Sequence, residues 1–439
     1  MRKAVVWGDK PDRTLIASGV HLILWMLLVV IISQKVLLPA LKEGTAFGIA
    51  ITRTETVIID FASHVNFVKE AWTGKPTGSP ADSVYSVAHH LVATGKWAGT
   101  SSSYALPFGY SPTMIWLLAP LVFFPHATAF CIFNVAGLLS VWWQTRPNRC
   151  RLGFGLVPFF SPLFSACMLL GQTALVTGAS LLFLAESTQN REHDGNARRA
   201  LYAGTALWVL TAKPPLALTA GAVLVALKKW QPLMIALGLT LATTAFITPL
   251  LGAGWIRDYL HMIARYDLVQ ADRAYAWSLV PAHMANLRSI LNVDFGMPDN
   301  VASRISTVLW LCSLAGMTLF AARLKLQQAG CWALALLSYL LFCPHVSSTE
   351  ELQLVLLVPL CIPVVKRLNP YESALFAFLL LLPFLSPAFG PFFVGCRWGL
   401  FAAKIVLVFA VIYYCRESRE HNGTGYGLSC PDSGGSQVC

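Results

Sequence analysis

Apolar runs recur along this chain, separated by short polar breaks, and most are close to the length that crosses a bilayer. Laid out in order they predict about 12 membrane spans. These cover 15–38, 127–143, 154–170, 173–187, 200–212, 216–227, 231–251, 303–322, 329–343, 351–365, 371–387 and 398–415. Several fall short of the roughly 20 residues a bilayer needs, which predicts tilted or broken helices. Two long segments, 39–126 and 252–302, lie between spans. Within the first, 112–123 is too short to cross and reads as a helix lying in or dipping into the interface.

The polar breaks alternate in character. One set is basic: Arg2, Lys3, Lys10 and Arg13 at the start, then Arg146, Arg149 and Arg151, Arg191, Arg198 and Arg199, Lys228-Lys229, Arg323 and Lys325, Lys366-Arg367, and Arg416 with Arg419. The short breaks of the other set carry only Lys213 and Arg397. Lys and Arg stay on the cytoplasmic side of a membrane, so both termini are placed inside and the two long segments outside. The domain plan is a cytoplasmic start at 1–14, a single transmembrane domain over 15–415, and a Gly- and Ser-rich cytoplasmic tail at 416–439 that is expected to be disordered. No internal repeat is visible.

Composition agrees with a membrane as solvent. Of 439 residues 56% are hydrophobic and 12% charged, and the mean hydropathy is +0.60. A soluble domain carries about a quarter charged residues. The formal charge of +11 follows from the basic inner loops. No basic patch is interleaved with aromatics, so no nucleic-acid partner is expected. Eleven cysteines are scattered, without a CxxC pair or Cys/His spacing for a metal, and read as small packing residues. The first span is too long for a signal-peptide core and lacks a small-residue cleavage site, so it is read as retained.

The residues capable of chemistry gather on the outer side. Phe61, Val65, Val68 and Trp72 recur at helical spacing, as do Val84, Val87, Ala88 and Leu91, predicting two amphipathic helices lying flat on the membrane. Asp60 precedes the first. It is either that helix's N-cap or a carboxylate held where a lipid-linked head group would sit. Tyr110-Ser111-Pro112 reads as a turn starting a helix, and Gly171-Gln172 as a tight turn with a polar cap. Lys213 stands at an outer helix end, where a C-terminal dipole would favour it, yet it departs from the orientation rule. The segment 252–302 is mixed and reads as solvated. Its Arg288, in Met284-Ala285-Asn286-Leu287-Arg288, stands where a guanidinium could hold a phosphate through two parallel hydrogen bonds. His345 follows Pro344 and precedes the polar Ser347-Ser348-Thr349-Glu350-Glu351.

Taken in order, Asp60-Phe61, Tyr85, Phe108-Gly109-Tyr110-Ser111-Pro112, Ala119-Pro120-Leu121, Phe124-Pro125, Gly171-Gln172, Ala212-Lys213-Pro214-Pro215, Met284-Ala285-Asn286-Leu287-Arg288 and Pro344-His345 resemble glycosyltransferase family 87 over roughly 55–360. These are membrane enzymes of the GT-C class that use polyprenyl-phosphate sugars. The chain departs from the family pattern at Ser111, Ser289 and Cys343. The resemblance implies an all-α polytopic GT-C-type fold in a bacterial plasma membrane, with the active site on the outer face. It implies a polyprenyl-phosphate sugar as donor, mannose foremost, and a lipid or glycan acceptor. Asp60 becomes the general base, and Lys213, Arg288, His345, Gln172, Tyr110 and Asn286 become candidates to hold the donor's phosphate and sugar. A polyprenyl-phosphate leaving group carries less charge than a nucleoside diphosphate, so no metal and no cofactor beyond the lipid-linked donor is expected. One displacement with one base implies inversion at the anomeric carbon.

Two other classes compete. A secondary transporter or lipid flippase would bury ionisable groups in mid-span and show inverted repeats; Lys404 is the clearest mid-span charge. An envelope polysaccharide polymerase or ligase would gather arginines in a large outer loop, as 252–302 partly does.

Overall fold

The computed structural model describes residues 109–145, 173–188, 196–252, 254–264, 284–324, 328–346 and 393–421, with single positions elsewhere, chiefly within 65–72 and at Glu350 and Gln353. All regular structure among the described residues is helical. In chain order the helices are α1 (Pro112–Leu118), α2 (His126–Thr145), α3 (Ala174–Ser187), α4 (Asn196–Leu210), α5 (Pro214–Ala226), α6 (Trp230–Leu251), α7 (Trp255–Ala264), α8 (Asp299–Leu324), α9 (Gln328–Phe342) and α10 (Phe393–His421). A 3₁₀ turn, Ala119–Phe123, extends α1, and a short helix, Leu287–Ser289, runs into a π turn, Ile290–Asp294.

Eight of the expected spans overlap described helices whose ends differ by up to about six residues, because each is a largely apolar run whose backbone groups are satisfied within the segment. The spans expected over 15–38 and 154–170 lie outside the described residues, as do those over 351–365 and 371–387 except at Gln353, Tyr371 and Glu372. α10 continues through Arg416 to His421, six residues into the stretch expected as tail, where Arg416 and Glu420 favour helix.

Two described helices, α6 and α8, are long and apolar enough to cross a membrane, and only 11% and 28% of their apolar windows are buried. Trp230, Met234, Leu237, Leu241 and Phe246 project from α6, the reverse of a soluble protein's core helix. The interior is built around α9, whose residues from Gly330 to Leu341 are all buried, as expected of a helix apolar on every face. It packs against α5, α8 and α10. On the other flank α4 joins α3 to α6. Gly204 lets α4 and α6 approach closely: a Cβ there would meet Ile235 Cγ2 at 2.5 Å.

Two expectations about the segments 39–126 and 252–302 change. Val65, Phe67, Val68 and Ala71 are helical but buried in a cluster with Met114, Ile115 and Leu118 of α1. Trp72 meets Trp116 edge to face at 5.8 Å. That apolar face is therefore spent on protein rather than lipid. The second amphipathic helix, around Val84–Leu91, lies outside the described residues. The segment 252–302 is only partly solvated. Gly252 and Gly254, at φ 88° and 75°, turn the chain from α6 into α7, an amphipathic helix with Trp255 packed inward and Ile256 and Leu260 exposed. Met284, Ala285, Asn286, Arg288 and Ser289 are buried.

Candidate functional site

The site is assembled from turns at helix ends. α4 stops at Leu210 because Pro214 and Pro215 cannot continue it, while the same prolines suit the first turn of α5. Lys213 is left between them as the N-cap of α5. Its amide still donates to Leu210 O at 2.9 Å, closing α4. The cation thus lies at the favourable end of one helix dipole and the unfavourable end of another, and the dipole alone does not account for it. Its charge is met by Glu350: Lys213 Nζ donates to Glu350 Oε1 and Tyr339 Oη donates to Glu350 Oε2. Glu350 is 1% exposed and the Lys213 side chain 18%. Burial by itself would lower the lysine's pKa; the facing Glu350 carboxylate, with Tyr110 nearby, more than reverses this, and the net shift is upward.

The Tyr110-Ser111-Pro112 turn is fastened to the same junction. Ser111 caps α1, accepting from Thr113 N, while its own hydroxyl donates to Thr211 O at 2.6 Å. Ser111 N donates to Ala212 O at 3.2 Å, and the Thr113 and Thr211 hydroxyls meet at 2.8 Å. Tyr110 Oη lies 3.2 Å from Thr173 Oγ1, next in sequence to Gln172.

A third set of contacts holds the end of α9. The last carbonyls of a helix have no partner within it. Here side chains from distant segments supply donors. Ser306 Oγ donates to Phe342 O at 2.6 Å, Asn286 Nδ2 to Cys343 O at 2.9 Å, and Arg288 Nη1 to Pro344 O at 3.1 Å. Lys404 Nζ, inside α10, donates to Ala285 O at 2.9 Å and Leu340 O at 3.5 Å. Asn286 also caps the short 287–289 helix through Ser289 N. Together these fix the turn that carries His345, which is half-buried.

The fork of Arg288 is occupied. Nε and Nη2 bond Asp299 Oδ1 and Oδ2 at 2.9 and 2.5 Å, and the side chain is 2% exposed. The paired geometry expected for a phosphate is directed instead at a carboxylate, so Arg288 positions the His345 turn rather than opening onto a cleft. Beside Tyr110 and Thr173 an apolar cleft of about 180 Å³ lies between α1, α2, α3 and the end of α4, lined by Leu118, Leu121, Phe133, Val176 and Val209.

Compared with known proteins, the chain matches no family model, no curated protein and no solved structure.

Of the expected site residues, Tyr110 and Lys213 share one junction, and Asn286, Arg288 and His345 share the neighbouring turn. Asp60 and Gln172 lie outside the described residues. Among the described residues no three His, Cys, Asp or Glu side chains come together. Sequence reasoning passed over Glu350, Tyr339 and Asp299. The available signal was that Lys213 and Arg288, placed against apolar segments, each require a counter-ion, and buried charges are paired.

Proposed function

We propose that the protein is an integral-membrane glycosyltransferase that moves a sugar from a polyprenyl-phosphate donor to a lipid or glycan acceptor at the outer face of the plasma membrane. The observation that carries this reading is the meeting of the turns 110–113 and 211–213 with Glu350 around Lys213, whose neighbour Ala212 lines an apolar cleft. A lipid phosphate needs such a neighbourhood: apolar walls for the chain and a cation close by.

In this mechanism the acceptor hydroxyl attacks the anomeric carbon and a new glycosidic C–O bond forms. The bond from that carbon to the phosphate oxygen breaks, and polyprenyl phosphate leaves with the electron pair. Asp60 takes the hydroxyl proton. Lys213 neutralises the leaving phosphate, which replaces Glu350 as its partner. Tyr339 and Glu350 keep the ammonium in place between turnovers. Asn286 and Arg288 hold the His345 turn against the site. Mannose is the sugar favoured by the resemblance. The transporter reading draws less support, since Lys404, the mid-span cation, is committed to two backbone carbonyls.

The test is transfer by the purified full chain in nanodiscs, given a panel of polyprenyl-phosphate sugars and host lipid and glycan extract, read by mass spectrometry with Asp60→Asn in parallel. A glycosylated product from the wild type alone supports the reading. A folded protein that transfers from no donor overturns it.

A further inference from the structure

Besides Lys213, one other cation breaks the orientation rule in the short outer breaks: Arg397, which the proposed reaction does not use. It lies in the second turn of α10 and is 0% exposed. Nη1 donates to Asp294 Oδ1 at 3.1 Å, whereas Nε and Nη2 are buried with no hydrogen-bond partner. Those two nitrogens form the edge of a guanidinium that grips an oxyanion through parallel hydrogen bonds. Arg288 provides the comparison within the same protein, because its Nε and Nη2 are both closed on Asp299. An arginine does not lose its proton, so the open edge is a buried charge with unmet donors, an arrangement that calls for a ligand. Arg397 lies near the N-terminus of α10, the positive end of the helix dipole, where anions are favoured. The Asp294 side chain, 21% exposed, brings the pair to the protein's edge.

We propose that Arg397 is an anion site for a phosphate group, gripped by its Nε–Nη2 edge, with Asp294 as the resident counter-ion that competes with the phosphate for the guanidinium's charge. The phosphate comes from a lipid head group or from solution. The site uses none of the residues assigned to sugar transfer, so it survives or fails independently of the transferase reading.

Thermal unfolding of the purified full chain in detergent tests it, with dodecyl phosphate as the lipid-like probe and inorganic phosphate as the soluble one. Sodium dodecanoate and chloride at equal ionic strength are controls. Dodecyl phosphate, inorganic phosphate or both should raise the wild-type melting temperature by several degrees beyond the controls, and the arm that does so identifies the source. Arg397→Gln should abolish the shift. Asp294→Asn, which removes the competing carboxylate and keeps the cation, should lower the phosphate concentration needed for half the shift at least threefold. That variant decides the matter if Arg397→Gln does not fold. No phosphate-specific shift in the wild type overturns the site. So does an Asp294→Asn protein whose response is unchanged or weaker, since Arg397 would then serve only its ion pair.

Discussion

Lys213 and Glu350, 137 positions apart, form a buried ion pair at the junction of α4 and α5, with the Tyr339 hydroxyl closing the second carboxylate oxygen. A buried pair contributes little over an apolar substitute, but losing one member strands the other. Glu350→Gln should therefore destabilise the protein by about 3 kcal/mol. The double variant Lys213→Met with Glu350→Gln should be less destabilised than the sum of the two singles. Chemical or thermal unfolding of the four proteins measures the coupling, and strict additivity would mean that the pair is not formed in solution.

The pH response of this pair has a definite sign. The folded pKa of Lys213 is raised above 10.5. Stability from the charged lysine is then complete below the unfolded value and is lost as pH rises through the higher folded value. The stability gap between wild type and Lys213→Met should stay level from pH 7 to about 10 and change only above that. Unfolding curves across this range check it; a gap that closes near neutral pH would contradict the raised pKa.

If Lys213 receives the leaving phosphate, Lys213→Ala should cut transfer about a hundredfold or more. Saturation with donor should suffer more than saturation with acceptor. Separate donor and acceptor titrations in nanodiscs measure the difference, and equal losses would assign Lys213 a purely architectural role.

Arg288→Lys keeps the charge but not the fork. A lysine cannot bridge both Asp299 oxygens while also donating to Pro344 O. The variant should lose about 2 kcal/mol of stability, and the His345 turn should loosen. Hydrogen exchange at 343–346 is the readout: protection equal to wild type would show that Arg288 does not hold that turn.

Gly204 and Gly238 form a matched test of packing between α4 and α6. A methyl at Gly204 runs into Ile235, whereas one at Gly238 meets nothing within 4 Å. Gly204→Ala should destabilise by about 1–3 kcal/mol. Gly238→Ala should be neutral or stabilising by up to about 1 kcal/mol. Melting temperatures of the two variants should move in opposite directions or differ by several degrees.

The helices were legible because their signal is local. Trp230–Leu251 and Gln328–Phe342 are mostly apolar runs without a charged residue, bounded by Lys228-Lys229 or Pro344, and a backbone in apolar surroundings satisfies its own hydrogen bonds as helix. The turn at Ser111-Pro112 was legible for the same reason: an N-cap and a first-turn proline act within four residues. The helix around Val65–Trp72 was legible as amphipathic but not in its partner, since an apolar stripe has the same spacing whether it meets lipid or α1.

By itself, then, the sequence determined which of the described segments are helical, and marked Lys213 and Arg397 as exceptions to the expected charge pattern. Only the tertiary structure decided what those charges meet. Lys213 faces Glu350, Arg288 is closed on Asp299 and Pro344 O, and Arg397 holds Asp294 with one edge left over. The reason is physical. Helix formation depends on neighbours three and four residues away, whereas a buried charge is stabilised by whichever oppositely charged or polar group the fold brings within about 3 Å, and those groups come from turns that lie far apart in the chain.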